Sequence, residues 1–152
     1  MISFAVERWP TFYADAKYIF DEHWKEAALD RDKITLSIDL DKYAALDKSG
    51  MLHIMVMRDD RVVVGYYLSL VFLHPHYKDA GPMAFVDVYY LRRKYRKGAH
   101  GIMLFKETEK SLKELGVTKM YGSCKAKMDK TKLFLALGWQ LADFCFAKYI
   151  GG

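Results

Sequence analysis

A short basic turn carries the groups best suited to chemistry in this chain of 152 residues. Small residues between Arg96 and Gly101 lie where a predicted strand ends and a predicted helix begins. The first backbone N–H groups of a helix lack intrahelical partners, and the helix dipole favours an anion there by about 0.3–1 kcal/mol. Small residues let phosphate approach these groups, while Arg96 and Lys97 can add charge-assisted hydrogen bonds. The turn therefore predicts a pyrophosphate site, and a tight turn with a solvated basic flank is the open alternative.

Other familiar phosphate and metal sites do not fit the sequence. The glycines do not have the spacing of the dinucleotide fingerprint, and no lysine followed by serine or threonine completes a P-loop. Cys124 and Cys145 show no metal-binding spacing, and no third ligand accompanies His74 and His76. We therefore expect no metal, and Cys124 has no recognisable histidine to activate it as a nucleophile.

The hydrophobic pattern around the turn predicts the elements that position it. Residues 62–73 and 84–91 alternate or are β-rich, and other strands are predicted over 2–6, 52–57, 117–122 and 139–150. Helices are predicted from Pro10 onward, over residues 39–49 and 130–137, and through Leu104 to Leu115 with an end at Gly116. The order β-α-α-β-β-β-α-β-α-β predicts a single α/β domain, of the α+β mixed-sheet kind, over residues 1–152.

Composition restricts the class of protein. The chain is 52% hydrophobic and carries a net charge of +5, which suits a globular protein with an anionic partner. No apolar run is long enough to cross a membrane, and no secretory signal precedes the first strand. Two cysteines are too few for a disulfide framework. These features predict a cytoplasmic protein that does not bind membranes.

The region around the turn resembles the acyl-CoA-binding motif of the GNAT acetyltransferases, whose signature is Arg or Gln, two residues, Gly, one residue, then Gly or Ala. Arg96 and Gly101 match its ends, and Ala99 stands where the family usually has glycine. Residues 134–139 (Phe-Leu-Ala-Leu-Gly-Trp) resemble the family's Tyr-x-x-Leu-Gly-Phe, and residues 62–65 resemble the opening of its third strand. The resemblance covers nearly the whole chain and includes the small GNAT proteins of bacteriophages. It implies a GNAT-like domain with a splayed central sheet that transfers acetyl from acetyl-CoA to an amine.

The same resemblance implies which residues hold acetyl-CoA. They are Tyr90, Leu91, Arg92, Arg93, Arg96, Lys97, Gly98, Ala99, His100, Gly101 and Ile102, with Asp129 and Phe134 further along. Backbone N–H groups near Tyr90 and Leu91 would hold the thioester carbonyl. Ala99 adds a methyl group where the family's backbone approaches phosphate, which we expect to weaken cofactor binding.

Four residues near the implied position of the acetyl group are the catalytic candidates: Asp87, Tyr89, Tyr121 and Cys124. Asp87 is the expected base, acting directly or through water, and a solvent-facing or lysine-paired carboxylate is the open alternative. Phe134 stands where many family members have the tyrosine that protonates the departing thiolate. Tyr121, Cys124 or no protein acid at all then remain as alternatives.

The acceptor is an amine whose identity the sequence does not give. By resemblance, the first helix end and the following loop shape its pocket, and the candidate contacts are Glu22, Trp24, His74, His76 and Tyr77. A protein amine, a small amine, an antibiotic and an aminoacyl-tRNA all remain open, as does a homodimer. Two other functions remain as alternatives: a GNAT-fold protein that binds acyl-CoA without catalysis, and a basic module that binds nucleic acid. Neither an RNA-binding aromatic motif nor a basic recognition helix supports the latter.

Overall fold

The computed structural model describes residues 1–152, which form one five-stranded mixed sheet and four α-helices. The strands lie in the spatial order β1-β2-β3-β4-β5. Their bounds are Ile2–Val6 (β1), Leu52–Asp59 (β2), Val62–Leu73 (β3), Pro82–Leu91 (β4) and Lys119–Tyr121 (β5). The first four strands pair antiparallel in sequence order, and β4 and β5 are parallel. The predicted mixed α/β fold is confirmed.

The helices cover both faces of the sheet. Their bounds are Trp9–Ala27 (α1), Leu40–Lys48 (α2), His100–Glu114 (α3) and Thr131–Ala136 (α4). The period-2 alternation of β2 explains the two layers, because Ile54 lies in the core beneath α1 and Met55 lies in the core beneath α3. The α1–α2 face and the α3–α4 face therefore have separate hydrophobic cores on one sheet.

Local sequence signals set the ends of the helices. The side chain of Asp39 accepts a hydrogen bond from the N–H of Lys42 at 2.9 Å, which caps the start of α2. Gly116 follows α3 with a φ of +81°, a left-handed conformation that glycine adopts without a steric penalty. The helices predicted over residues 39–49 and up to Gly116 are confirmed, and their ends shift by one or two residues.

The sheet opens between its last two strands. β5 pairs with β4 only through Met83, Ala84 and Phe85 of the latter. Residues 86–91 of β4 therefore have no paired strand on that side, which opens a cleft between β4 and β5, and the Leu91 carbonyl there accepts a hydrogen bond from Arg96 instead. This is the splay that the family resemblance implied.

The strand predicted over residues 139–150 is wrong, because this segment follows α4 without joining the sheet. Its only backbone hydrogen bond runs from Trp139 N to Phe134 O, and every residue from 140 to 150 is exposed. Apolar side chains there include Phe144 and Phe146, which are 77% and 90% exposed. A β-rich pattern becomes a strand only where an edge accepts its hydrogen bonds, and the three-residue β5 offers a short one.

No helix in the structure combines the length and the apolar composition that a membrane span requires.

Candidate active site

The basic turn places a run of free backbone donors at the start of α3. The N–H groups of residues 97–102 make no hydrogen bond within the protein, whereas the next one, of Met103, donates to Ala99 O at 2.8 Å. Gly98 has a φ of +81°, which reverses the chain before the helix begins. A Cβ at Gly101 would lie 3.8 Å from the side chain of Leu91, an ordinary contact. The turn therefore leaves donors for an anion, and Gly101 keeps the helix start bare without being required by the packing.

Arg96 is held by the protein rather than pointing freely from this turn. Its Nε donates to Leu91 O at 2.7 Å, and its Nη1 donates to Glu26 of α1 at 2.5 Å. Tyr90 also donates to Glu26, at 2.9 Å. The hydrogen bond from Arg96, more than that from Tyr90, lowers the pKa of Glu26 to about 2. Arg96 therefore joins the end of β4 to α1, and this limits its reach toward a phosphate.

A charged cavity of about 560 Å³ lies beside the turn, between α1 and the end of β4. Its lining residues are Glu22, Lys25, Glu26, Tyr90, Arg92, Arg93 and Lys94. Arg92, an expected cofactor contact, donates to Glu22, an expected acceptor contact, at 2.9 Å. Glu22 thus lies at the C-terminal end of β4, beside the expected cofactor contacts.

Asp87 lies at an irregularity of β4. Val86 pairs with Ser69 and Val88 pairs with Leu68, so that Asp87 is an extra residue without a counterpart on β3. Such a β-bulge bends the strand and redirects a side chain. The bulge begins one residue after the last β4–β5 pair, at Phe85. The candidate base therefore stands where the cleft opens.

Tyr43 of α2 holds the carboxylate of Asp87. Its hydroxyl donates to Asp87 Oδ2 at 2.5 Å, the short distance typical of a charge-assisted bond. Its ring stacks on Trp9 of α1 at 4.3 Å between centroids, and Tyr13 stacks on Trp9 at 5.1 Å. Burial, and then the bond to Asp87, raise the pKa of Tyr43 far above its usual value, so the hydroxyl remains a donor.

Sequence reasoning missed Tyr43. The signal was weak, because a tyrosine inside a short amphipathic helix ordinarily indicates packing. Only the position of α2 over the bulge of β4 shows that the hydroxyl of Tyr43 meets the carboxylate of Asp87.

The lysine-paired alternative for Asp87 is not found, because the hydrogen-bond partner of its carboxylate is Tyr43.

The other side of the cleft holds the remaining catalytic candidates. Tyr89 stacks on Tyr67 of β3 at 5.4 Å, and burial, with a smaller effect of nearby Cys124, raises the pKa of Tyr89. Cys124 Sγ accepts a hydrogen bond from Lys130 N at 3.3 Å. Tyr121 lies apart from them, stacked on Phe85 at 4.7 Å. The four candidates thus lie around the point where β4 and β5 separate. Asp87 lies on the α1–α2 face of the sheet, and Tyr89 lies on the α3–α4 face.

Two further residues implied to contact the cofactor shape the start of α4. Asp129 Oδ1 accepts hydrogen bonds from both the backbone N–H and the hydroxyl of Thr131, the first residue of α4, whereas Lys130 occupies the N-cap position. Phe134 packs edge-to-face against Phe105 and Trp139, at 5.3 and 5.1 Å between centroids. Phe134 therefore contributes an apolar wall and no proton.

The candidate acceptor contacts do not form one group. His74, His76 and Tyr77 form a ring cluster, and His74 stacks on Phe85 near the start of the cleft. Glu22 lies instead at the opposite end of β4. Trp24 is half-buried on α1 without a ring contact. The structure thus brings the loop residues, but not Glu22, to the aromatic strip of Phe85.

His23 and His53 are packing residues. His23 Nδ1 lies 2.8 Å from the hydroxyl of Tyr66, and its ring stacks on Tyr90. His53 Nε2 lies 2.8 Å from the hydroxyl of Ser111. Burial lowers the pKa of each histidine to about 4, so both are neutral near pH 7. No cluster of three or more histidine, cysteine or acidic side chains suited to a metal is found.

The architecture is similar to that of solved acetyltransferases. A GCN5-related N-acetyltransferase from Ralstonia eutropha JMP134 superposes with a TM-score of 0.77 at 15% identity over 100% of both chains. A ribosomal-protein-alanine N-acetyltransferase from Brucella melitensis biovar Abortus 2308 gives 0.72 at 16% identity, again over 100% of both chains. A predicted acetyltransferase from Clostridium acetobutylicum, solved with acetyl-CoA, gives 0.70 at 12% identity over 98% of this chain and 96% of that one.

No protein-family model and no curated protein matches the sequence. At these identities the likeness shows the fold, and the chain has the GNAT fold that the sequence resemblance predicted.

Proposed function

We propose that this protein is an N-acetyltransferase that moves the acetyl group of acetyl-CoA directly onto a primary amine bound in the same cleft. One arrangement carries the proposal. A helix start with free N–H groups, an open edge of β4 and a tyrosine-held carboxylate follow one another along the cleft. Several similar structures are acetyltransferases, and one of them was solved with acetyl-CoA.

Two groups of the chain would hold acetyl-CoA. The free N–H groups of residues 97–102 would bind the pyrophosphate, with Lys97 adding charge. The open edge of β4 over residues 86–91 would hydrogen-bond the extended part of the cofactor as a neighbouring strand does. Acetyl-CoA supplies an activated acetyl thioester. Backbone N–H groups on this edge, near Tyr90, would stabilise charge on the thioester oxygen.

The role of Asp87 follows from the protonation state of the acceptor. An alkylamine with a pKa near 10.4 requires about 4–5 kcal/mol to become neutral at pH 7. Asp87 would accept that proton directly or through one water, because it lies at the bulge where the cleft opens. Tyr43 would orient the carboxylate. Holding both substrates in one cleft supplies the proximity term of the rate.

A proton is also needed by the departing thiolate. Phe134 has no hydroxyl to give, and its ring packs into the core of the α3–α4 face. Tyr89 and Cys124 lie together on the cleft, so we place the acid there; burial raises the pKa of Tyr89, which keeps its hydroxyl protonated and also makes it a weaker acid. Tyr121 is less favoured, since Lys119 covers one face of its ring and Phe85 stacks on it.

The two alternatives are not favoured. A protein that binds acyl-CoA without catalysis needs no carboxylate held at the opening of the cleft, yet Tyr43 holds Asp87 there. A nucleic-acid-binding module needs basic side chains free for phosphate, yet Arg92 and Arg96 are bound to glutamates of α1. Strong loss of nucleic-acid affinity with salt would revive the second alternative.

The names of similar structures suggest acceptor classes without choosing among them. They include a ribosomal-protein alanine and aminoglycosides, so a protein amine, a small amine or an antibiotic all suit the fold. An aminoacyl-tRNA also remains a proposal, as does a homodimer, which sedimentation analysis would measure.

Cofactor binding is tested first. Acetyl-CoA, and more weakly CoA, should raise the melting temperature, with a stabilisation of about 2–3 kcal/mol at a hundredfold excess over Kd. A melting temperature that does not change up to millimolar acetyl-CoA would overturn the proposal.

Activity is tested next, by a thiol-release assay with pooled amines that identifies an acceptor. Asp87→Asn should lower the rate of thiol release by about 10²–10⁴ without weakening acetyl-CoA binding.

A further inference from the structure

A small groove lies between α2 and the sheet, with Asp87 on its lining. The groove has a volume of about 180 Å³, and its six lining residues are Asp39, Lys42, Tyr43, Leu46, Leu70 and Asp87. It lies on the opposite side of β4 from the core beneath α3, because Tyr43 and Leu70 pack with the core beneath α1. None of the acceptor contacts expected from the sequence lies in this groove.

The size and walls of the groove favour a thin chain. Sites for drug-sized ligands usually measure about 300–1,000 Å³, so this one is too small for a sugar with substituents or a fused ring system. Leu46 and Leu70 give it apolar sides that suit methylene groups.

The charges of the groove favour a cation at its inner end. Asp87 is half-buried, and Tyr43 occupies one of its carboxylate oxygens, which leaves the other for a ligand. Lys42 and Asp39 carry opposite charges, so Asp87 gives the lining its net negative charge. A carboxylate behind apolar walls binds an ammonium group on an alkyl stem.

We propose that this groove is the acceptor subsite and that it takes an unbranched alkyl amine, such as the side chain of lysine or a linear diamine. The proposal rests on the proposed acetyltransferase function. The ammonium group enters first and meets Asp87, while the rest of the acceptor leaves past Asp39 and Lys42 on the first turn of α2.

The transfer step then balances as follows. The ammonium gives one proton to the carboxylate of Asp87, and the neutral nitrogen attacks the acetyl carbonyl carbon. The new C–N bond forms as the C–S bond breaks, with its electron pair remaining on sulfur. The nitrogen loses a second proton, the thiolate gains one, and Asp87 releases its proton to solvent. The net products are an acetamide, free CoA and one proton.

The test uses the whole chain and three primary amines of different shape. Cadaverine represents the unbranched class, glucosamine the ring class and benzylamine the aromatic class. Thiol release from acetyl-CoA should be at least tenfold more efficient, as kcat/KM, with cadaverine than with either of the others. Equal or better turnover of glucosamine or benzylamine, in a protein whose melting temperature acetyl-CoA raises, would overturn the groove proposal and leave the acetyltransferase proposal standing.

A pair of variants on one helix locates the subsite. Leu46→Phe narrows the groove and should raise the KM for cadaverine at least tenfold while the KM for acetyl-CoA stays within twofold. Leu40→Phe is the matched control, because Leu40 is an exposed residue of α2 outside the groove. Equal effects of the two variants on the KM for cadaverine would place the acceptor elsewhere. Turnover of cadaverine by wild-type protein decides the substrate class even if Leu46→Phe folds poorly.

Discussion

Removing one hydroxyl group should reveal whether Tyr43 controls the base. Tyr43→Phe deletes the donor that lies 2.5 Å from Asp87 Oδ2, while the ring can keep its stacking on Trp9. The hydroxyl fixes the orientation of the Asp87 carboxylate, because it donates to one of the two oxygens. The carboxylate is free to turn in the variant, and we expect kcat to fall while the KM for acetyl-CoA stays unchanged.

The size of the loss follows from the kind of hydrogen bond. A hydrogen bond to a charged group contributes about 1.5–3 kcal/mol when shielded, and both side chains here are half-buried, which reduces it. Since about 1.4 kcal/mol corresponds to a tenfold change in rate, we expect kcat to fall about tenfold. The fall should be smaller than that of Asp87→Asn, which removes the base itself.

The assay is thiol release at fixed pH from saturating acetyl-CoA, with the first amine found to turn over. Tyr13→Phe is the matched control, because Tyr13 also stacks on Trp9 and its hydroxyl has no hydrogen-bond partner. A kcat that stays at the wild-type value in Tyr43→Phe, yet falls in Asp87→Asn, would refute the role of Tyr43. An equal fall of kcat in Tyr13→Phe would assign the effect to packing.

Three further changes test the cofactor turn and the core. Gly101→Val should abolish acetyl-CoA binding in calorimetry. Thermal unfolding without ligand should change little, because a Cβ there meets only an ordinary contact at 3.8 Å. Wild-type affinity in this variant would refute the proposal that the pyrophosphate binds at the start of α3. Arg96→Ala should lower the free energy of unfolding by about 1–3 kcal/mol, since Glu26 loses the shorter of its two arginine contacts, and should weaken acetyl-CoA binding less than tenfold. A larger loss of affinity than of stability would mean that Arg96 contacts phosphate directly. Burial lowers the pKa of His53 from 6.5 to about 4, so the unfolded chain binds a proton more readily than the folded protein below pH 6.5. The free energy of unfolding should therefore be highest above pH 6.5 and fall as the pH approaches 4, by about 2 kcal/mol at pH 5. In urea unfolding at pH 7 and pH 5, His53→Leu should reduce this difference, whereas substitution of the exposed His76 should not.

The elements with strong local signals could be predicted from the sequence. The helix face of α1 places Phe12, Ala16, Ile19 and Phe20 at helical spacing, and all four are buried. The two central strands are long and β-rich, and their bounds differ from the prediction by two residues or fewer. The free N–H groups of the basic turn were also predictable, because a strand-to-helix junction leaves the first helical N–H groups without partners.

The features that depend on distant partners could not be predicted. Arg96 has the residue type of a phosphate ligand, but its contact with Glu26 joins residues 70 positions apart. Tyr43 and Asp87 are 44 positions apart, and neither segment alone indicates the bond. The segment over 139–150 has the composition of a strand, yet a strand also needs an edge with free hydrogen-bonding groups in reach.

In the proposed mechanism, the bulge and the splay of β4 together allow a reactive centre that does not need a tyrosine on α4. Pairing with β5 ends at Phe85, and the extra residue Asp87 follows two positions later. The end of the pairing would free an edge for the thioester, and the bulge turns a carboxylate toward α2. Since α2 supplies Tyr43 and the groove, the proposed base and acceptor subsite depend on the α1–α2 face, whereas Phe134 belongs to the opposite face. Loss of the hydroxyl at Phe134 should thus affect only departure of the thiolate, and Phe134→Tyr should raise kcat without changing the KM for the amine. A change confined to the KM for the amine would show that the two faces are not independent.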